Sequence, residues 1–219
     1  MKSRGCLVAL VLLVLLVGAG AAGYADLNRR VAPMPDGPEK LIRFEEAPAT
    51  NNALARLHQE GVVRDPDAAA LMMRLNRQSV KVVRGTYRVK PGMTLSQVLQ
   101  SLKQPVQQMV RLREGWWIRR QAAILEKNQV CTADEYIELA NKPEQFREDF
   151  PFLPETLTSL EGYLYPDTYD LPPLLGAEET IKLQLKTFER KVLSKLEAPE
   201  KIHRTLTIAS MVELEAAKD

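Results

Sequence analysis

Apolar and polar positions alternate in distinct regimes along this chain. Residues 6–25 hold no charge at all. At 1.5 Å per residue such a run spans about 30 Å, the thickness of a bilayer core. The expectation is a transmembrane helix over 6–25. Lys2 and Arg4, in a short tail of residues 1–5, favour a cytoplasmic N-terminus with the bulk of the chain exported. A cleaved signal peptide is the competing reading, because Gly18–Ala25 offers small residues at the end of the run. Residues 26–38, with Pro33, Pro35 and Pro38, read as a linker.

Beyond the linker, strand-turn-helix units recur three times, and the period of apolar positions changes from two to about 3.6 within each. The first runs from Lys40–Glu45 through a Pro48 turn into a helix from Thr50 to Glu60. An amphipathic helix over Asp67–Gln78 follows, with Leu71, Met72 and Leu75 expected inward. The second unit is a strand over Val82–Val89, the turn Lys90-Pro91-Gly92-Met93 and a helix opened by Thr94. Pro at the second and Gly at the third turn position specify a type II turn. Thr94 and Gln97 form a capping box ahead of the stripe Leu95, Val98, Leu99 and Leu102. The third is Met109–Arg113, a Glu114-Gly115 turn and a helix over Trp117–Lys127. A long amphipathic helix is expected over Thr180–Leu196, with Ile181, Leu185, Phe188, Val192 and Leu196 on one face.

The last regime is apolar on every side. From Leu206 to Ala216 apolar residues surround a helix over 204–217, so burial is expected. Two carboxylates in such a helix are costly unless paired or used. Glu213 and Glu215 project about 160° apart, so they cannot flank one bond. Any acid chemistry there uses one carboxylate. The bland alternative makes both of them charges at a helix end.

Composition narrows the classes. With 30 basic and 28 acidic residues in 219, a net charge of +2 gives no electrostatic case for nucleic acid. Two cysteines, one of them in the apolar run, make no disulfide framework, and two histidines supply a metal site or triad poorly. No cofactor or metal is expected. Leu160-Glu161-Gly-Tyr-Leu-Tyr165-Pro-Asp167-Thr-Tyr169 concentrates three tyrosines and two acids, a content that suits either a sugar-lined groove or aromatic packing. Glu161, Tyr165 and Asp167 are therefore candidate substrate-binding residues, and Ser210 and Glu215 on the last helix are further candidates.

Tyr87-Arg-Val-Lys-Pro-Gly-Met-Thr-Leu95 is similar to the LysM glycan-binding motif. Together with Arg113-Glu-Gly-Trp, Leu160–Tyr169 and Ile208-Ala-Ser-Met-Val-Glu-Leu-Glu215, in that order, it closely resembles the YceG-like (MltG) endolytic murein transglycosylases. The resemblance implies an α+β fold: a LysM-like subdomain over 39–105, then the N-terminal part of a catalytic domain over 106–219. It makes Glu213 the catalytic acid. It implies peptidoglycan glycan strands as substrate, peptidoglycan synthases as partners, and no cofactor.

The resemblance breaks in two places. Leu214 replaces the usual charged residue between the two acids, and the family continues past the point where this chain stops at Asp219. The expectation is a truncated and hence inactive member. Two other classes compete: a non-catalytic glycan-binding or scaffold protein, and a plain structural protein of the envelope.

Overall fold

A computed structural model describes the backbone of residues 2–196 and 202–216, with side chains for residues 10–196 and 202–212. Helices and short strands form two compact units, Met1–Pro105 and Val106–Asp219.

The first unit opens with α1 (Lys2–Arg30), followed by β1 (Lys40–Phe44), α2 (Thr50–Gln59), α3 (Pro66–Leu75), β2 (Gly85–Val89) and α4 (Leu95–Ser101). Leu10–Arg30 of α1 is long and apolar enough to cross a membrane, with a mean hydropathy of 2.0. The helix extends through Asp26–Arg30, which the sequence reading assigns to the linker. Tertiary contacts account for the difference. Leu27 is buried together with Ala68 and Met72 of α3, and Arg30 donates to the Asp65 carboxylate at 2.9 and 2.6 Å.

Strands β1 and β2 pair antiparallel, Lys40 opposite Val89 and Phe44 opposite Gly85. Their inner residues Ile42, Phe44, Tyr87 and Val89 pack on Ala53, Leu54 and Leu57 of α2 and on Val98, Leu99 and Leu102. Tyr87, within the LysM-like motif, is fully buried and its hydroxyl donates to the Val83 carbonyl at 2.9 Å. The turn before α4 forms as its residues dictate. Met93 N–H donates to the Lys90 carbonyl, and Gly92 has φ +90°. Both halves of the Thr94/Gln97 capping box are present.

One helix face is corrected. On α3 the buried residues are Ala68, Ala69, Met72 and Met73, while Leu71 and Leu75 are 48% and 58% exposed. Apolar residues from Ala68 to Leu75 cover too wide an arc for period alone to choose the inner face.

The second unit runs β3 (Met109–Arg111), α5 (Ile118–Lys127), α6 (Ala133–Ala140), β4 (Thr168–Asp170), α7 (Ala177–Lys191) and α8 (Ile202–Ala216). A 3-10 turn, Pro143–Phe146, lies between α6 and β4. The long helix expected from Thr180 begins earlier, at Ala177, and gives way to a 3-10 turn at Leu193–Lys195. Strands β3 and β4 pair antiparallel with Val110 opposite Tyr169. A single core gathers Val110, Leu125, Tyr136, Phe146, Leu160, Tyr163, Ile181, Leu185 and Phe188.

Inside this core, three helices exchange polar bonds. The Tyr136 hydroxyl donates to Gln184 Oε1 at 2.6 Å, and Gln184 Nε2 donates to Gln121 Oε1 at 2.7 Å. Gln121 Nε2 closes the chain on the Trp116 carbonyl at 3.0 Å. All three side chains are buried, so each depends on its partners for hydrogen bonds that water would otherwise supply.

Burial of α8 departs from the expectation. Ile202 is buried and Leu206 packs partly on the core, but Ile208, Met211 and Val212 are 52%, 63% and 62% exposed. The described residues of this unit leave most of that helix uncovered.

Candidate functional site

The stretch Leu160–Tyr169 contributes Leu160, Tyr163, Leu164 and Tyr169 to the core and meets α8 through Tyr163. Leu160 N–H donates to the Ala140 carbonyl at 2.7 Å, which fixes the segment on the end of α6. A turn follows: Tyr163 N–H donates to the Leu160 carbonyl, and Gly162, at φ +84°, takes the left-handed position that favours glycine. Tyr163 and Leu164 then enter the core, while Glu161 stays outside it.

Glu161 is turned towards α5. Its Oε2 accepts the Ile118 N–H at 3.1 Å. Trp117 occupies the N-cap position of that helix and has no side chain able to cap it. Glu161 therefore satisfies an orphan donor and places negative charge at the positive end of the helix. Beside this contact, Trp117 is 69% exposed and the Arg120 guanidinium lies 4.8 Å over the Trp116 ring.

Tyr165 and Asp167 are brought together by a residue that sequence reasoning missed. Lys191, in the last turn of α7, reaches Asp167 Oδ2 at 2.6 Å and stands 5.2 Å from the centre of the Tyr165 ring. Asp167 Oδ1 also accepts the Thr168 N–H at 2.9 Å. These contacts, Lys191 first and then the Thr168 amide, hold the Asp167 carboxyl below the usual carboxylate range. The Asp167 carbonyl accepts from Leu112 N–H, which prolongs the β3–β4 pairing. The result is a partly exposed aromatic face beside a cation and a carboxylate, groups that can stack on a sugar ring and bond its hydroxyls. Only the position of Lys191, a basic residue at a helix C-terminus, could have signalled it.

His203, near the start of α8, was also missed. Its ring lies parallel to Tyr163, at 9° and 6.3 Å between centres, and Nδ1 is 3.2 Å from the Tyr163 hydroxyl. Burial raises the Tyr163 hydroxyl to about 12, so it remains a neutral hydrogen-bonding group. This pair and Ile202 attach the beginning of α8 to the core.

Further along α8, the Ser210 hydroxyl donates to the Thr207 carbonyl at 2.9 Å. Among the described residues, no hydrogen bond links Ser210 to Glu161, Tyr165 or Asp167. Glu213 and Glu215 belong to the last turns of α8, and their side chains lie outside the described residues. Among the described residues, no group of three or more His, Cys, Asp or Glu could hold a metal ion.

Fold and site together define a mixed helix-and-strand protein carrying an N-terminal apolar helix. The chain belongs to the YceG-like family, whose model matches residues 43–219. Among solved structures it is similar to the crystal structure of a yceG-like protein from Listeria monocytogenes, at 16% identity and a TM-score of 0.35. That similarity covers 71% of this chain and 56% of the Listeria chain, so this chain spans little more than half its length. No curated protein matches the chain.

Proposed function

We propose that this protein is a membrane-anchored endolytic murein transglycosylase that cuts peptidoglycan glycan strands and leaves 1,6-anhydro-muramic ends. Family membership over residues 43–219 carries the reading. It is supported by α1, which has the length and hydropathy of a span, and by Lys2 and Arg4, which favour export of everything beyond it. Residues 39–105, with the LysM-like motif at Tyr87–Leu95, would contribute glycan binding. Peptidoglycan synthases are the expected partners.

Glu213, as the first acid of Ala209-Ser-Met-Val-Glu-Leu-Glu215, takes the chemical role. As a carboxylic acid it protonates the bridging glycosidic oxygen while the bond from C1 to that oxygen breaks and positive charge develops at C1. The resulting carboxylate removes the proton from the C6 hydroxyl of the same muramic residue. The C6 oxygen then bonds to C1, which closes the anhydro ring and returns Glu213 to its acid form. No water is consumed, and no second carboxylate is required, in contrast to hydrolysis by paired acids.

The acid step needs Glu213 protonated near neutral pH, and desolvation is the physical means. A hydrated glutamate titrates near 4.3. Ile208, Met211 and Val212 stand exposed on α8, and bound glycan is the proposed cover of this helix. Tyr165 and Asp167, with Lys191, are the groups proposed to meet the sugar, together with Ser210 and Glu215 on α8.

Purified glycan strands provide the test. The protein is incubated with murein, and anhydro ends are quantified by mass spectrometry; it should generate them. Glu213→Gln should lower the yield by roughly 10²–10⁴-fold, because the amide keeps the shape but cannot deliver a proton. Unchanged activity in Glu213→Gln would remove Glu213 from the mechanism.

A further inference from the structure

We infer that α3 is an interfacial helix, with Leu71 and Leu75 inserted at the boundary between headgroups and acyl chains of the bilayer that α1 spans. The inference rests on the reading of α1 as an anchor and adds a second point of attachment.

Helices α1 and α3 run in opposite directions where they meet. Three contacts run in opposite order along the two segments. Arg64 bonds the Pro33 carbonyl at 3.4 Å, Asp65 pairs with Arg30, and Ala68 and Met72 are buried with Leu27. As α3 proceeds from Pro66 to Leu75, it therefore runs back along α1 towards the apolar stretch. From Asp65 to Leu71 is about 9 Å of helix, and to Leu75 about 15 Å. The same lengths measured back from Arg30 reach Tyr24 and Gly20. Tyr24 is 51% exposed at the end of the uncharged run, where tyrosines mark the membrane–water interface. Leu71 thus stands at headgroup level and Leu75 below it.

Side-chain chemistry along α3 follows the same gradient. At its start, on the end furthest from the apolar stretch, the exposed residue is Asp67, which suits water. Towards the other end the exposed residues of the helix are Leu71, Arg74 and Leu75, and Asn76 and Arg77 follow them, also exposed. Exposed leucines flanked by arginines are the composition of a helix lying in an anionic interface, the leucines among acyl chains and the guanidiniums on phosphates. In water the two leucines would leave apolar area uncovered for no gain. The same membrane that takes α1 takes them as well.

Depth measurements on the full chain test this. Cys6 and Cys131 are replaced by serine, and single cysteines at 13, 67, 71 or 75, all exposed positions, carry a small environment-sensitive fluorophore. The protein is reconstituted into vesicles of phosphatidylethanolamine and phosphatidylglycerol with or without nitroxide-labelled lipids. Position 13 reports the anchor. The expected result is blue-shifted emission and quenching at 13, 71 and 75, with position 67 unquenched. Quenching at 13 but not at 71 and 75 would overturn the interfacial helix and leave the anchor standing. Shielding of 71 and 75 from water without lipid quenching would mean a protein partner, and overturn it too. Equal quenching at 67 and 75 would refute the antiparallel depth order. No quenching at 13 would remove the anchor, and the interfacial helix with it.

Discussion

The Glu161 carboxylate caps the backbone N–H of Ile118, reaching across 43 positions of sequence to the helix that begins beside two tryptophans. Among the candidate sugar-binding residues, this one has a structural use fully visible in the fold. Losing it should act on stability first. Glu161→Ala should cost about 1 kcal/mol in denaturant unfolding, as for other lost N-terminal caps. Glu161→Gln, which keeps an acceptor but not the charge, should cost less. Glycan binding reduced equally by both, with stability unchanged, would reverse the assignment.

Asp167 gives the molecule an acid-sensitive contact. Its carboxyl titrates below the ordinary range in the folded protein because Lys191 and the Thr168 amide favour the charged form. The folded value lies below the unfolded one, near 3.9, so the contribution is complete above that pH. It fades as pH falls through the folded value. Asp167→Asn should therefore flatten the acid side of the stability profile while shifting neutral-pH stability by less than about 1 kcal/mol, the pair being partly exposed. An unaltered acid limb would show that Lys191 does not hold Asp167 in solution.

Cys131 should be a slow nucleophile. Burial, then the carboxylates of Glu135 and Glu126, push its thiol from an ordinary value of 9.0 up to about 12. The thiolate population at neutral pH falls by roughly 10³, and alkylation should slow accordingly against a free thiol. Adding denaturant should restore the ordinary rate. Rapid labelling of the native protein would contradict the burial.

At Gly92 two constraints coincide. The residue has φ +90°, and a methyl group there would collide with Asp36 Oδ1. Asp36 is a surface side chain and can swing aside, with loss of its 3.7 Å contact to Lys90. The backbone cannot, so Gly92→Ala should destabilise the first unit by roughly 1–2 kcal/mol. A melting temperature equal to the parent's would mean that the turn rearranges freely.

Local signals in the sequence translate directly into structure, and the departures have a common origin in distant contacts. Thr94 and Gln97 sit three residues apart and need nothing else to close their box, so they are readable. The type II turn at Pro91-Gly92 is equally self-contained. By contrast, Asp26–Arg30 look like the start of a linker until Leu27 and Arg30 find α3. On α3 itself, Leu71 and Leu75 are as apolar as Met72 and Met73, and only the neighbours decide which pair is buried. Glu161, Tyr165 and Asp167 stand out by content, but their partners Ile118 and Lys191 lie far away in sequence. For α8, a pattern apolar all round states the need for a cover without naming it, and Ile208, Met211 and Val212 remain exposed.

The buried chain of Tyr136, Gln184 and Gln121 has a consequence for how this sequence can drift. Removing one member leaves its neighbour's polar atom stranded at a cost of about 1–3 kcal/mol, whereas replacing all members together with apolar groups of similar shape can be nearly level. Single steps at these three positions lead downhill, and the route between two equally stable versions passes through a valley. α5, α6 and α7 are therefore tied by inheritance as much as by packing: a change at any one of the three positions must be answered at the other two.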